Sequence, residues 1–137
     1  MLRPTDGRVL LGLANLWMDI DESRTAIACL KRLIGIEPRN ADAWLNLAVV
    51  QFTRKEYEEG IGSCHRALSL EPRSALAMYN LALAFERLGR YQMALDWTRR
   101  ALQLEPKDVS LQRLEIRLRI LKFKSKVIAA VRRAMGM

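Results

Sequence analysis

His65 is the one histidine in 137 residues, and no serine, cysteine or carboxylate stands with it in a recognisable triad. General acid–base and nucleophilic catalysis therefore lack their parts. Cys29 and Cys64 have no second cysteine or histidine at metal-ligand spacing, so neither a zinc centre nor a redox pair is suggested. Both read as buried thiols in a reducing, cytoplasmic compartment. The expectation is a protein that is not an enzyme and uses no metal and no cofactor. What remains is the chemistry of recognition, carried by amides, cations and apolar side chains at repeated spacing.

The cations are unevenly placed. Of 23 basic and 15 acidic residues, residues 109–137 hold 8 and 1, a net +7, whereas residues 1–108 sum to +1. Half of the residues are apolar, enough for one domain over 1–137 to bury a core without disulfide or metal support. No apolar run approaches the roughly 18 residues that span a bilayer. Val9 to Met18 resembles the apolar part of a secretion signal, but Asp19 follows where small cleavage-site residues belong.

The elements that must position these groups follow from one regularity. Pro4, Pro38, Pro72 and Pro106 recur every 34 residues. The units run 7–40, 41–74 and 75–108, followed by a tail over 109–137. Position 7 of each unit is Leu13, Leu47 or Leu81, position 8 is Ala14, Ala48 or Ala82, and position 20 is Ala26, Gly60 or Ala94. Proline cannot continue a helix and pushes the residue before it out of helical geometry, so each proline marks a stop. Two residues on stand Asp6, Asn40, Ser74 and Asp108, side chains that accept hydrogen bonds from the first free amides of a new helix. Asp19 to Ser23, Thr53 to Glu56, and Leu88-Gly89-Arg90 read as turns within antiparallel helix pairs.

Trp44, Leu47, Tyr57, Gly60, Ala67 and Pro72, with Leu81, Ala82, Gly89, Tyr91, Ala94, Ala101 and Pro106, resemble the tetratricopeptide repeat pattern over about residues 7–108. The first unit departs most, with Leu10, Ser23 and Leu33 at characteristic positions, as suits an end unit with one face uncovered. The resemblance implies an all-α solenoid of three helix hairpins and a long capping helix. It also implies a protein-binding scaffold whose first helices line a concave wall. Leu2-Arg3-Pro4 fits the end of a preceding unit, as in a fragment of a longer repeat protein; the simpler reading is that Pro4 and Asp6 start the first helix.

On that wall the resemblance places Asn15, Leu45, Asn46, Val49, Tyr79, Asn80 and Leu83, joined from the tail by Arg113, Leu114 and Arg117. Amides both donate and accept, which suits the backbone of a bound peptide or helix segment. The alternative is that these asparagines bond neighbouring helices. Relatives that clamp a terminal carboxylate use asparagines and cations here. Asn15 and Asn46 match, but Leu11, Leu76 and Asn80 occupy the places of the cations, so no carboxylate clamp is expected.

The tail lacks proline and glycine up to Ala134, which predicts one helix of about 26 residues. At 100° per residue it carries two apolar stripes. Leu111, Leu114, Leu118 and Leu121 would cover the last repeat. Ile116, Ile120, Phe123, Val127 and Val131 have no counterpart within the chain, and are expected to meet a second copy, as a homo-oligomer, or another protein; the alternative is a kink that folds the tail back. The basic tail also raises the reading of an adaptor for anionic membrane or nucleic acid. Two opposed stripes argue against a membrane surface, and a single aromatic argues against nucleic-acid stacking. Lys31-Arg32, His65-Arg66 and Arg99-Arg100 suggest cations complementing helix C-termini. Trp17, Trp44 and Trp97 read as core bulk.

Overall fold

A computed structural model describes residues 7–137; Pro4, Asp6 and the reading of Leu2-Arg3-Pro4 lie outside the described residues. The described residues form helices and no strand: α1 (Gly7–Asp19), α2 (Ser23–Ile36), α3 (Ala41–Thr53), α4 (Tyr57–Leu70), α5 (Ala75–Arg87), α6 (Tyr91–Leu104) and α7 (Val109–Ala134). This is the all-α helical-repeat class that the resemblance implied. The chain divides into two compact units, one ending at Ala77 and the other starting at Met78, within α5.

The capping signals act as their chemistry requires. Asn40 Oδ1 accepts from the Ala43 amide at 3.0 Å, Ser74 Oγ from Ala77 at 3.2 Å, and Asp108 Oδ1 from Leu111 at 3.0 Å. Each satisfies a donor that the first turn of a helix leaves without an intrahelical acceptor. Position 4 adds a second tie to the proline segment: Trp44 Nε1 donates to the Pro38 carbonyl at 3.0 Å and Gln112 Nε2 to that of Pro106 at 2.9 Å.

The turns inside the pairs are closed differently. Asp21, Lys55 and Gly89, all at position 15, adopt left-handed backbone with φ of 60°, 62° and 72°. Around each, two amides return to the preceding helix. Lys55 N donates to Phe52 O and Glu56 N to Gln51 O, both at 2.9 Å; Gly89 to Glu86 and Arg90 to Phe85 repeat the pattern. Glycine is suited to this conformation, whereas a side chain there meets its own backbone. Only the third repeat supplies glycine.

In the first unit the core is Leu10, Ala14, Ala26, Leu30, Leu33, Ala43, Leu47 and Val50, with Trp17, Trp44 and Cys29 partly buried against it. Ala14 and Ala48 of position 8 and Ala26 of position 20 have no exposed surface, the condition for close approach of α1 to α2 and α3 to α4. Gly60 is tighter still, because a Cβ there would run into the ring of Phe52, which stacks on Tyr57 with centroids 6.5 Å apart. In the second unit α6 packs on α7 through buried residues including Leu95, Ala101, Leu111, Leu114 and Leu118. Burying a leucine side chain stabilises by roughly 1.5–3 kcal/mol before conformational entropy is charged against it.

α7 is one unbroken helix, so the tail does not kink back. The basic pairs fall short of the last turns of α2, α4 and α6, which carry no cation. A helix dipole acts mainly within its last turn, so the expected charge–dipole role is corrected. Arg66 instead lies 5.3 Å from the centre of the Trp44 ring and Arg100 4.7 Å from that of Trp97, at cation–π range.

Lys55→Gly should raise stability by about 1 kcal/mol by removing left-handed strain. Gly62→Ala, at a helical site with open space beside it, should add about 1 kcal/mol through helix propensity. Gly60→Ala should lower stability despite the same propensity gain, because the Phe52 ring must leave its place. Denaturant unfolding of the three variants checks the signs.

Candidate functional site

Two side-chain links, each joining residues 31 apart, tie the first helices of successive repeats, one in each unit. In the first unit Asn46 Nδ2 donates to Asn15 Oδ1 at 2.8 Å, joining α3 to α1. In the second, Arg117 Nε donates to Glu86 Oε2 at 3.0 Å, with a second nitrogen at 2.9 Å, joining α7 to α5. A separation three short of the 34-residue period sets partners one helical turn apart on neighbouring first helices.

The asparagine link is the neighbour-bonding role weighed against ligand contact. It does not use up the amides. Asn15 keeps its NH2 group and Asn46 its carbonyl oxygen, so the pair can still donate and accept. Val49 is half-buried nearby in sequence, and Leu11 packs against the first core. Leu45 has only 9 % of its surface exposed, leaving little to touch a ligand. In the second unit Tyr79, Asn80 and Leu83 are half-buried along α5. Arg113 is exposed, whereas Arg117 is engaged by Glu86, so its charge is already partly met within the unit. Leu114, which the wall was expected to include, is 2 % exposed and belongs to the core, because it shares the inward side of α7 with Leu111 and Leu118.

Sequence reading missed the acceptor role of Glu86. Its position 12, one turn from position 9 of the next unit, was the signal that could have found it. Also missed was a buried polar pair in the first unit, where Ser63 Oγ donates to Gln51 Oε1 at 2.7 Å. That bond lets α3 and α4 bury two polar groups without leaving either unsatisfied.

The expected second stripe is fully displayed. Ile116, Ile120, Phe123, Val127 and Val131 are all exposed, Phe123 to 68 %, and every residue from Phe123 to the end of α7 is exposed. Of the two cysteines, Cys29 is half-buried and Cys64 has no exposed surface, and neither forms a disulfide. Burial pushes the Cys64 thiol up to about 12, so it holds its proton at neutral pH and is no nucleophile. Among the described residues no group of three His, Cys, Asp or Glu side chains could hold a metal. No helix there is long and apolar enough to cross a membrane.

Tetratricopeptide repeat models match residues 11–68 and 75–108, together most of the chain. The chain belongs to the tetratricopeptide repeat family. Solved tetratricopeptide domains share its fold. The Arabidopsis OM64 TPR domain is 24 % identical with a TM-score of 0.80, over 82 % of this chain and 93 % of that one. The first TPR domain of human RPAP3 is 20 % identical with a TM-score of 0.85, over 90 % and 98 %. The first TPR of Spaghetti (RPAP3), solved with the HSP90 peptide SRMEEVD, is 20 % identical with a TM-score of 0.80, over 93 % and 97 %. No curated protein sequence matches the chain.

The buried thiol has a measurable signature. Below about pH 9 Cys64 is protonated whether the chain is folded or not, so it contributes no pH dependence. Above that the unfolded chain sheds the proton while the folded one keeps it, so stability should fall as pH rises from 9 toward about 12. Cys64→Ala should remove that part of the alkaline slope. At pH 8 it should also leave the labelling rate of the native protein by a thiol reagent unchanged.

Proposed function

We propose that this tetratricopeptide chain is a protein-binding scaffold that holds a peptide or helix of a partner on the faces of its first helices, with no need for a terminal carboxylate. The observation that carries this reading is the bonded Asn15–Asn46 pair, which retains a donor and an acceptor beside half-buried Leu11 and Val49. A peptide bond presents the complementary acceptor and donor, and flanking apolar side chains supply contact area. The peptide-bound Spaghetti domain supports it, as a similar fold that holds a short segment.

The absence of a clamp rests on residue types. Leucine at 11 and 76 and asparagine at 80 bring no charge where a clamp needs cations, and Leu11 is committed to packing. Arg113 stays available for an acidic side chain of the ligand. Such a face binds through backbone and apolar contact, so its affinity should survive moderate salt.

Affinity capture from the source cell with the intact chain, compared with Asn46→Ala and Asn80→Ala, tests the site: the captured set should shrink or change. An unchanged set places binding elsewhere. SRMEEVD as free acid and as C-terminal amide should bind equally weakly; tight binding of the acid that amidation abolishes would overturn the clamp-free reading.

A further inference from the structure

The exposed side of α7 carries a pattern that the reading of the first helices does not use. Ile116, Ile120, Phe123, Val127, Ala130 and Ala134 follow alternating steps of four and three, the a/d spacing of a coiled-coil seam. Leu111, Leu114 and Leu118 are buried whereas the seam is exposed, so the seam is not the side buried against α6, although Phe123, Arg119 and Lys126 border a hollow with Leu95 and Arg99 of that helix. Ile116, Arg119, Ile120 and Phe123 line a shallow hollow. Their spacing of i, i+3, i+4 and i+7 is the four-residue hole that accepts one side chain of a facing helix.

The positions beside the seam decide the occupant. With Ile120 and Val127 at a, the e and g positions are Arg117, Arg119, Lys124, Lys126, Val131 and Arg133. Five of six are cations, and Arg119, Lys124 and Lys126 have no ion-pair partner among the described residues. A second copy would set cation against cation along both edges, which e and g charges use to exclude a partner. A bilayer would reward a wide, deeply inserting face, but this seam ends in Ala130 and Ala134, small residues that suit close helix approach.

We propose that the outer seam of α7 docks an acidic amphipathic helix of another polypeptide, with apolar a and d residues and glutamates or aspartates flanking them. The helix from Phe123 onward is exposed on every side, a stretch of 12 residues that is marginal as a free helix and gains order from such a partner.

The test uses the intact chain and dye-labelled synthetic helices of about 28 residues, with leucine and isoleucine at a and d and either glutamate or lysine at e and g. The glutamate helix should bind at least about tenfold more tightly than the lysine helix. Ile120→Glu with Val127→Glu, both at exposed sites, should abolish binding while circular dichroism stays native. Arg119→Glu, Lys124→Glu and Lys126→Glu together should reverse the preference, because only Arg133 and the Glu86-paired Arg117 then remain as cations beside the seam; loss of folding cannot mimic that result, and Asn46→Ala should change nothing, which separates this seam from the first-helix face. Amide exchange over 124–134 should slow when the glutamate helix is bound. Equal affinity for the two helices, or binding that survives the seam substitutions, overturns the proposal. So does a dimer that those substitutions dissociate, or binding to phosphatidylserine vesicles with no binding of either helix.

Discussion

A helix leaves four amides at one end and four carbonyls at the other without partners, and the way this chain meets that demand governs everything built on it. Between pairs, a glutamate–proline segment halts one helix, and an oxygen two residues after the proline starts the next. Within pairs, a left-handed residue folds the chain back so that two amides reach the carbonyls just passed. The two devices alternate, and each fixes a connection of three or four residues. With the connections fixed, alanine and glycine at positions 8 and 20 meet rather than drift past one another.

That alternation was legible where it depends on residue type. Asn40, Ser74 and Asp108 announced themselves by their oxygens, and the prolines by their lost amide. The left-handed turns were legible only at Gly89, since Asp21 and Lys55 adopt the same conformation without the residue that signals it. Tertiary closure imposes the geometry there and tolerates the local strain. The site was less readable. Pattern placed Leu45 and Leu114 on an open wall, but a helix has no sharp boundary between faces, and residues at its shoulder are drawn inward when a neighbour lies close. Type also cannot tell whether an asparagine meets a ligand or another asparagine; Asn15 and Asn46 first meet each other. The stripe on α7 was readable because no described residue of its own unit buries it.

The chain separates two kinds of surface by their electrostatics. Through residue 108 basic and acidic groups nearly cancel, and the first helices offer amides and half-buried apolar groups. α7 holds nearly all of the excess charge, set on both sides of an exposed apolar line. A neutral face selects by shape and hydrogen bonding, while a charged one selects by sign and weakens with salt. The two proposed recognition modes therefore differ in what they would select, one by shape and the other by sign.

The interior at position 24 is filled by Leu30, Cys64 and Thr98, all with no exposed surface. The backbone period is identical but the volumes are not, and Thr98 turns its hydroxyl to the Ala94 carbonyl at 2.8 Å, where leucine could make no such bond. A pairing slipped by one repeat, or a hairpin exchanged between molecules, would bring together helices whose knobs and sockets differ in size and polarity. Identical modules would make such frame errors cheap; unlike fillings at one position raise their cost and give each hairpin an interior of its own.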